Sequence, residues 1–395
     1  MSETTGAGGS SFQAKRVLTI AGGHAAHDTF TAFLPPLLPF FAARLFLSNT
    51  EAGLLAVILQ LPWILQPIIG HYADKHGAAL VVILAPTLSG VAMSLLGVAP
   101  GYIFLVLLLL LSGLASAGFH AVAPAMISAL SGSAIGRGMG IWMVGGELGR
   151  TLGPLLAVTA LRFLGPGGLP WLALGGVAAS LLLALQLRPA GEDAHAEMVS
   201  LEWRSLLRGM IPLLLPLGAV MLLRSFLVAA LNLYLPLFLT EQGANLWLAG
   251  VSLTILEAAG VAGALAGGAV SDRIGRRLTL AVSLLATPVL LLLFLGATGP
   301  VQLVLLILLG LTGLSVTPVI MAIIHESYPG NRAFANGTYM LMSYGIRTVA
   351  VVSLGVIGDL SSLRFAYAVS AVVALAGVPL VFFLPGRRPK IKRGG

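Results

Sequence analysis

The sequence predicts an all-α membrane protein: twelve transmembrane helices in two pseudo-symmetric six-helix halves. Three observations lead there. The 395 residues are 57% hydrophobic and only 9% charged, with a mean hydropathy of +0.99, whereas a soluble globular domain carries roughly 25% charged residues. The apolar stretches recur at lengths near the 20 or so residues that cross a bilayer core. A charged loop motif occurs twice, half the chain apart.

Reading Gly, Pro and charged breaks as turns places spans near 17–42, 51–71, 79–98, 102–130, 137–163 and 169–187, and then near 209–239, 246–270, 279–298, 301–324, 333–358 and 364–384. The domain layout is a tail (1–16), a first half (17–187), a polar linker (188–208), a second half (209–384) and a basic tail (385–395). Residues 1–14 lack the basic region of a cleaved signal, so the first apolar segment is expected to stay as an anchor. No cysteine is present, which excludes a disulfide framework and thiolate metal sites.

Orientation follows from the basic residues. With both termini in the cytoplasm, Lys15, Arg16, Lys75, Arg137, Arg188, Arg204, Arg208, Arg273, Arg276, Arg277, Arg332 and the C-terminal cluster all lie inside. Only Arg44, Arg162 and Arg364 fall outside. The net charge of +8 is mostly this bias, and nucleic acid is not an expected partner.

The repeated loop reads Gly70-His-Tyr-Ala-Asp74-Lys75-His-Gly77 after span 2 and Gly268-Ala-Val-Ser-Asp272-Arg273-Ile-Gly275 after span 8. Glycine permits a tight reversal, and an acid beside a base can cap a helix end and pair with a neighbour. One copy would pass for a charged turn; two in register indicate a parallel-repeat transporter. A second stretch, GMGIWMVGGELGRTLGPLLA at 138–157, places Glu147 and Arg150 among glycines and before Pro154. Small residues at helical spacing let a neighbouring helix approach, and Gly-Pro invites a bend.

These residues resemble the major facilitator superfamily over essentially the whole chain. The resemblance implies that Asp74, Lys75, Asp272 and Arg273 form gating loops, and that Gly149, Gly153 and Pro154 belong to an antiporter signature running from Gly140. HAAHD at 24–28, QLPWILQPIIGHYADK at 60–75, GFH at 118–120 and VGGELGRTLGPLL at 144–156 are similar to the fosmidomycin resistance branch of that family. That similarity implies a proton-driven drug exporter of the bacterial inner membrane; separately, a multi-pass protein acting as a monomer is expected.

Helical rise places a charged layer deep in the bilayer. Asp28 lies about 16 Å into its span, Glu147 about 15 Å, Arg150 about 20 Å, Arg224 about 22 Å, Glu257 about 17 Å and Arg347 about 21 Å. Each buried charge costs at least about 2.5 kcal/mol, so a function is expected of them. His24 and His27 share a face with Asp28, and His120 lies within span 4. Spans 3, 6, 9 and 12 carry no interior charge, and in the family's layout those helices face outward.

A carboxylate in a low-dielectric cavity suits the binding and release of a proton. Asp28, Glu147 and Glu257, with His24, His27 and His120, are therefore the expected proton-coupling groups. Arginine grips anionic oxygens with a planar fork. Arg150, Arg224 and Arg347 are expected to bind substrate, with Gln60, Gln66, Trp63, Trp142, Asn232, Tyr234, Tyr339 and Tyr344 completing the lining. Glu147 with Arg150 also fits a purely structural ion pair. No metal is expected, because no His-x-x-x-His pair with an adjacent glutamate occurs on one helix. No Walker loop or nucleophile elbow occurs, so neither ATP hydrolysis, an organic cofactor nor enzymatic catalysis is expected.

The expected function is proton-coupled export of a small anionic or amphiphilic compound by alternating access. The residues leave two other readings open: a proton-coupled uptake symporter of an organic anion or sugar acid, and a transporter-like sensor without flux.

Overall fold

The computed structural model describes residues 12–76, 79–132, 134–187, 203–328 and 332–384, which are helical almost throughout and contain no strand. The first half begins with α1 (Ala14–Thr31) and α2 (Leu34–Leu45), which share one apolar stretch. Pro35 and Pro36 disfavour helical geometry just before them but suit the first turn of a new helix, so the stretch breaks and restarts. α3 (Asn49–Gln60) and α4 (Gln66–His76) are joined by a 3-10 turn at Leu61–Leu65. Pro62 and Pro67 remove backbone donors there, and span 2 breaks between them.

α5 (Ala79–Leu95), α6 (Tyr102–Leu130), α7 (Ile135–Leu164) and α8 (Ala173–Gln186) follow. α7 runs unbroken through Pro154.

The second half opens with α9 (Trp203–Ala229), a π turn at Ala230–Tyr234, and α10 (Leu235–Glu241). α11 (Leu246–Ile274), α12 (Arg276–Gly296), α13 (Gly299–Leu314), α14 (Val316–Ser327), α15 (Arg332–Leu360) and α16 (Leu363–Leu375) complete it. Among the described residues ten helical stretches are long and apolar enough to cross a membrane. The α1–α2 pair, which is interrupted, and α7, which carries charge, bring the helical spans to the twelve expected.

The chain divides into two compact units, Met1–Leu37 with Ile58–Met198, and Leu38–Val57 with Val199–Gly395. Within the first unit, α1 and α7 share the most extensive contact. Glycines at 145, 149 and 153 recur every four residues and leave a stripe without side chains, against which the α1 backbone lies. Val17, Ile20, Val82, Phe119, Trp142 and Leu183 fill the core beside it. In the second unit α11 lies similarly close to α13, where Gly263 meets the Leu311 backbone. The outward sides are apolar: on α8, which has no interior charge, Leu181, Leu182 and Leu185 are 60–71% exposed, as lipid-facing residues should be.

Residues Leu38–Val57, from the first half of the sequence, pack within the second unit. The start of α3 shows how they are held. Ser48 and Glu51 form a reciprocal capping box, with bonds of 3.2 and 2.9 Å. The carboxylate of Asp359, on α15, accepts from the Asn49 amide at 2.6 Å and from the Thr50 amide at 3.0 Å. The four amides of Ser48–Glu51 thus all have acceptors, and a negative charge sits at the helix's positive end. Beside them the fully buried Tyr234 hydroxyl contacts the carbonyls of Asn49 and Val351 at 3.1 and 3.0 Å.

Candidate functional site: two clusters of buried polar groups

The first unit brings three of the predicted residues together. His24 and Asp28 stand one turn apart on α1, and His120 reaches them from α6. His24 Nε2 lies 3.3 Å from Asp28 Oδ2 and 3.3 Å from His120 Nε2; His120 Nε2 lies 3.6 Å from Asp28 Oδ1. Asp28 is only 4% exposed. The His24 ring stacks on Trp142 with centroids 3.6 Å apart, and its Nδ1 meets the Trp142 carbonyl at 2.9 Å. His120 Nδ1 meets the Ser116 carbonyl at 3.0 Å, and Trp63 lies 5.6 Å from its ring.

His27 points elsewhere in the same core: it contacts Ser89 Oγ at 2.9 Å and stacks on Phe119. The glycine stripe of α7 makes room for this cluster, because a side chain at Gly146 would strike the His24 ring. Trp142 is buried with one ring face taken by His24, so it supports the cluster. Gln60 and Gln66 bracket the 3-10 turn of span 2, both half-buried.

Glu147 and Arg150 form the ion pair that their spacing implies, within one turn of α7 and partly exposed. Charge neutralisation lets both sit on an apolar helix.

The second unit holds its own polar group. Glu257, 8% exposed halfway along α11, accepts a hydrogen bond of 3.0 Å from the Asn232 amide. Asn232 lies on the π turn, whose extra residue re-aims side chains out of the α-helical pattern. Arg224 donates from Nη2 to the Gly313 carbonyl at 2.7 Å, and Arg347 and Tyr339 lie within its electrostatic reach. Tyr234 is committed to backbone carbonyls, and its ring lies wholly in the core. Tyr344, on α15, is half-buried.

At the second loop motif, Gly275 adopts φ +100°, a conformation that favours glycine, so α11 reverses directly into α12. Asp272 pairs with Arg276 at 2.7 Å rather than with its neighbour Arg273, which is exposed; Arg276 also reaches Glu326 of α14 at 2.7 Å. Arg277 donates to the Leu384 carbonyl. In the first copy of the motif, the side chains of Asp74 and Lys75 lie outside the described residues.

The sequence placed His24 and His27 on one face with Asp28, but the meeting of His24 with His120 went unforeseen. These two and Asp28 form a set whose ligand atoms all lie within 4.8 Å of one another. The expectation of no metal rested on ligands sharing one helix, and here they come from two.

The comparisons with known proteins agree with this architecture. The chain is 27% identical to the fosmidomycin resistance protein of Escherichia coli (strain K12), over 98% of this chain and 97% of that one. It is 25% identical to an uncharacterized MFS-type transporter, YfnC, of Bacillus subtilis (strain 168), over 92% and 90% of the two chains. Among solved structures it resembles a bacterial homolog of the human lysosomal transporter Spinster, with a TM-score of 0.79, 14% identity and coverage of 94% and 96%. It also resembles a D-xylose-proton symporter, with a TM-score of 0.74, 17% identity and coverage of 95% and 98%. The model of the Major Facilitator Superfamily matches residues 20–317 and 253–395. A multi-pass helical membrane protein with this match from end to end belongs to the Major Facilitator Superfamily of transporters.

Proposed function

We propose that this transporter exports a small anionic or amphiphilic compound in exchange for protons, by alternating access. The observation that carries the proposal is the pair Arg224 and Arg347, two guanidinium groups within electrostatic reach of each other in a membrane-spanning unit. Two like charges within electrostatic reach of each other on membrane-spanning helices favour an anion nearby, and the arginine fork suits carboxylate, phosphate or phosphonate oxygens. Glu257, buried on α11 of the same unit and held by Asn232, is the coupling group: protonated it is neutral, and ionised it changes the charge of the unit's buried polar groups by one. Export is supported by the Escherichia coli relative, since a transporter confers resistance by expelling the harmful compound.

The test is flux in proteoliposomes under an imposed pH gradient, with a panel of phosphonates, carboxylates and cationic drugs. Anionic compounds are expected to move against the proton flow, and Glu257→Gln is expected to bind them while losing gradient-driven accumulation. Movement of cations alone would remove the arginine anchor, and gradient-driven accumulation by Glu257→Gln would remove the coupling assignment. Comparing right-side-out with inverted vesicles reads the direction, and accumulation inside right-side-out vesicles would replace export with uptake.

A further inference from the structure

We propose that His24, Asp28 and His120 form a binding site for a divalent first-row transition metal, of which Zn2+ is the type. The argument begins with the outer nitrogens. A carbonyl oxygen can only accept, so the contacts to Trp142 and Ser116 require His24 and His120 each to carry a proton on Nδ1. In the neutral rings both Nε2 atoms then present lone pairs, and these face each other at 3.3 Å. The third group facing them is the Asp28 carboxylate, also an acceptor. Three acceptors converge without a donor among them, in a pocket where Asp28 Oδ1 has no hydrogen-bond partner among the described residues. Such a cluster calls for a cation.

The spacing identifies which kind. A tetrahedral zinc with bonds of about 2.0–2.1 Å holds its ligand atoms about 3.3–3.4 Å apart. Here the two Nε2 atoms stand 3.3 Å apart, as such a zinc requires, and the two oxygens of Asp28 lie 3.3 Å from His24 and 3.6 Å from His120 respectively, so that with one oxygen as ligand all three ligand atoms fall within 4.8 Å of one another. Two imidazoles and one carboxylate suit a transition metal better than magnesium or calcium, which prefer all-oxygen shells. The Nδ1 contacts to backbone carbonyls are the second-shell bonds that orient metal-ligating histidines. The His120 side chain is 24% exposed, which provides an entry path and leaves one coordination position open to water or to a bound compound. A metal there fastens α1 to α6, and through the carbonyl of Trp142 to α7.

This inference stands apart from the proposed export, which rests on groups of the second unit. The test uses the untagged full-length chain in detergent, stripped with a chelator and titrated with Co2+ and then Zn2+. Wild-type protein is expected to take up one Co2+ per chain with the intense visible bands of a four-coordinate site, and Zn2+ is expected to bleach them. His120→Gln and Asp28→Asn, confirmed as monodisperse and helical, are expected to bind at least about 100-fold more weakly. Wild type alone can overturn the proposal. The absence of stoichiometric Co2+ uptake would mean that the three acceptors share only a proton. Uptake with six-coordinate spectra, or uptake unaltered in a folded variant, would place the metal elsewhere. Flux lost in Glu257→Gln with Co2+ uptake intact would uphold both assignments separately.

Discussion

Replacing Gly149 by alanine tests the closeness of α1 and α7. A methyl group there would lie 2.5 Å from the Ala25 carbonyl oxygen, 2.8 Å from Asp28 Cβ and 2.9 Å from the Thr29 amide nitrogen. Comfortable contact between such atoms is about 3.5 Å, so the helices must part by close to 1 Å. Two of the three obstacles are backbone atoms within a helix and have no rotamer to escape into. Overpacking of this kind costs about 1–3 kcal/mol, and the backbone obstacles put it in the upper half of that range. Alanine returns about 1 kcal/mol of helix propensity, leaving a net loss of about 1–2 kcal/mol.

Gly140, exposed on the same helix with nothing within 4 Å, is the control, because alanine there gains propensity without a clash. The assay is heating of the purified protein in detergent, followed by the surviving monodisperse fraction on size exclusion. Gly149→Ala is expected to lower the apparent Tm by roughly 2–8 °C, and Gly140→Ala to leave it unchanged or raise it. A Gly149→Ala protein as heat-resistant as Gly140→Ala would refute the reasoning that the stripe exists for backbone approach.

Two further outcomes concern the second unit. Tyr234→Phe removes a buried hydroxyl between two carbonyls and is expected to cost about 1–1.5 kcal/mol, whereas Asp359→Ala, where water reaches the freed amides, should cost about 1 kcal/mol; heat resistance reads both, and a larger loss at Asp359 would reverse that ranking. Arg224→Lys keeps the charge but not the fork that serves Gly313 as well, so the apparent KM for an anionic substrate is expected to rise roughly tenfold with total protein unchanged.

Much of the architecture was legible in the sequence because bilayer thickness leaves a helix few choices of length. The spans, the break at Pro62–Pro67 and the Glu147–Arg150 pair all depend on neighbours within a turn or two. The break of span 1 at Thr31–Leu34 was also written locally, in Pro35 and Pro36, but the continuous apolar run concealed it. The π turn at Ala230–Tyr234 has no local signature, and the partner of its Asn232, Glu257, lies 25 residues away. His24 and His120 are 96 residues apart, so their convergence is a property of packing between α1 and α6. Tyr234 shows the converse. Its residue type fits a substrate lining, while its hydroxyl is held between the Asn49 and Val351 carbonyls.

The capped start of α3 has a consequence for how the chain is made. Two of its leading amides wait for an acid that leaves the ribosome about 310 residues later. During synthesis those donors face the membrane–water boundary with only the Ser48–Glu51 box in place, since Asp359 does not yet exist. The segment Leu38–Val57 therefore reaches its final partners late, and a nascent chain stopped before α15 carries an unfinished helix start. The start of α3 is thus a helix end made early in synthesis and completed only when the last helices arrive.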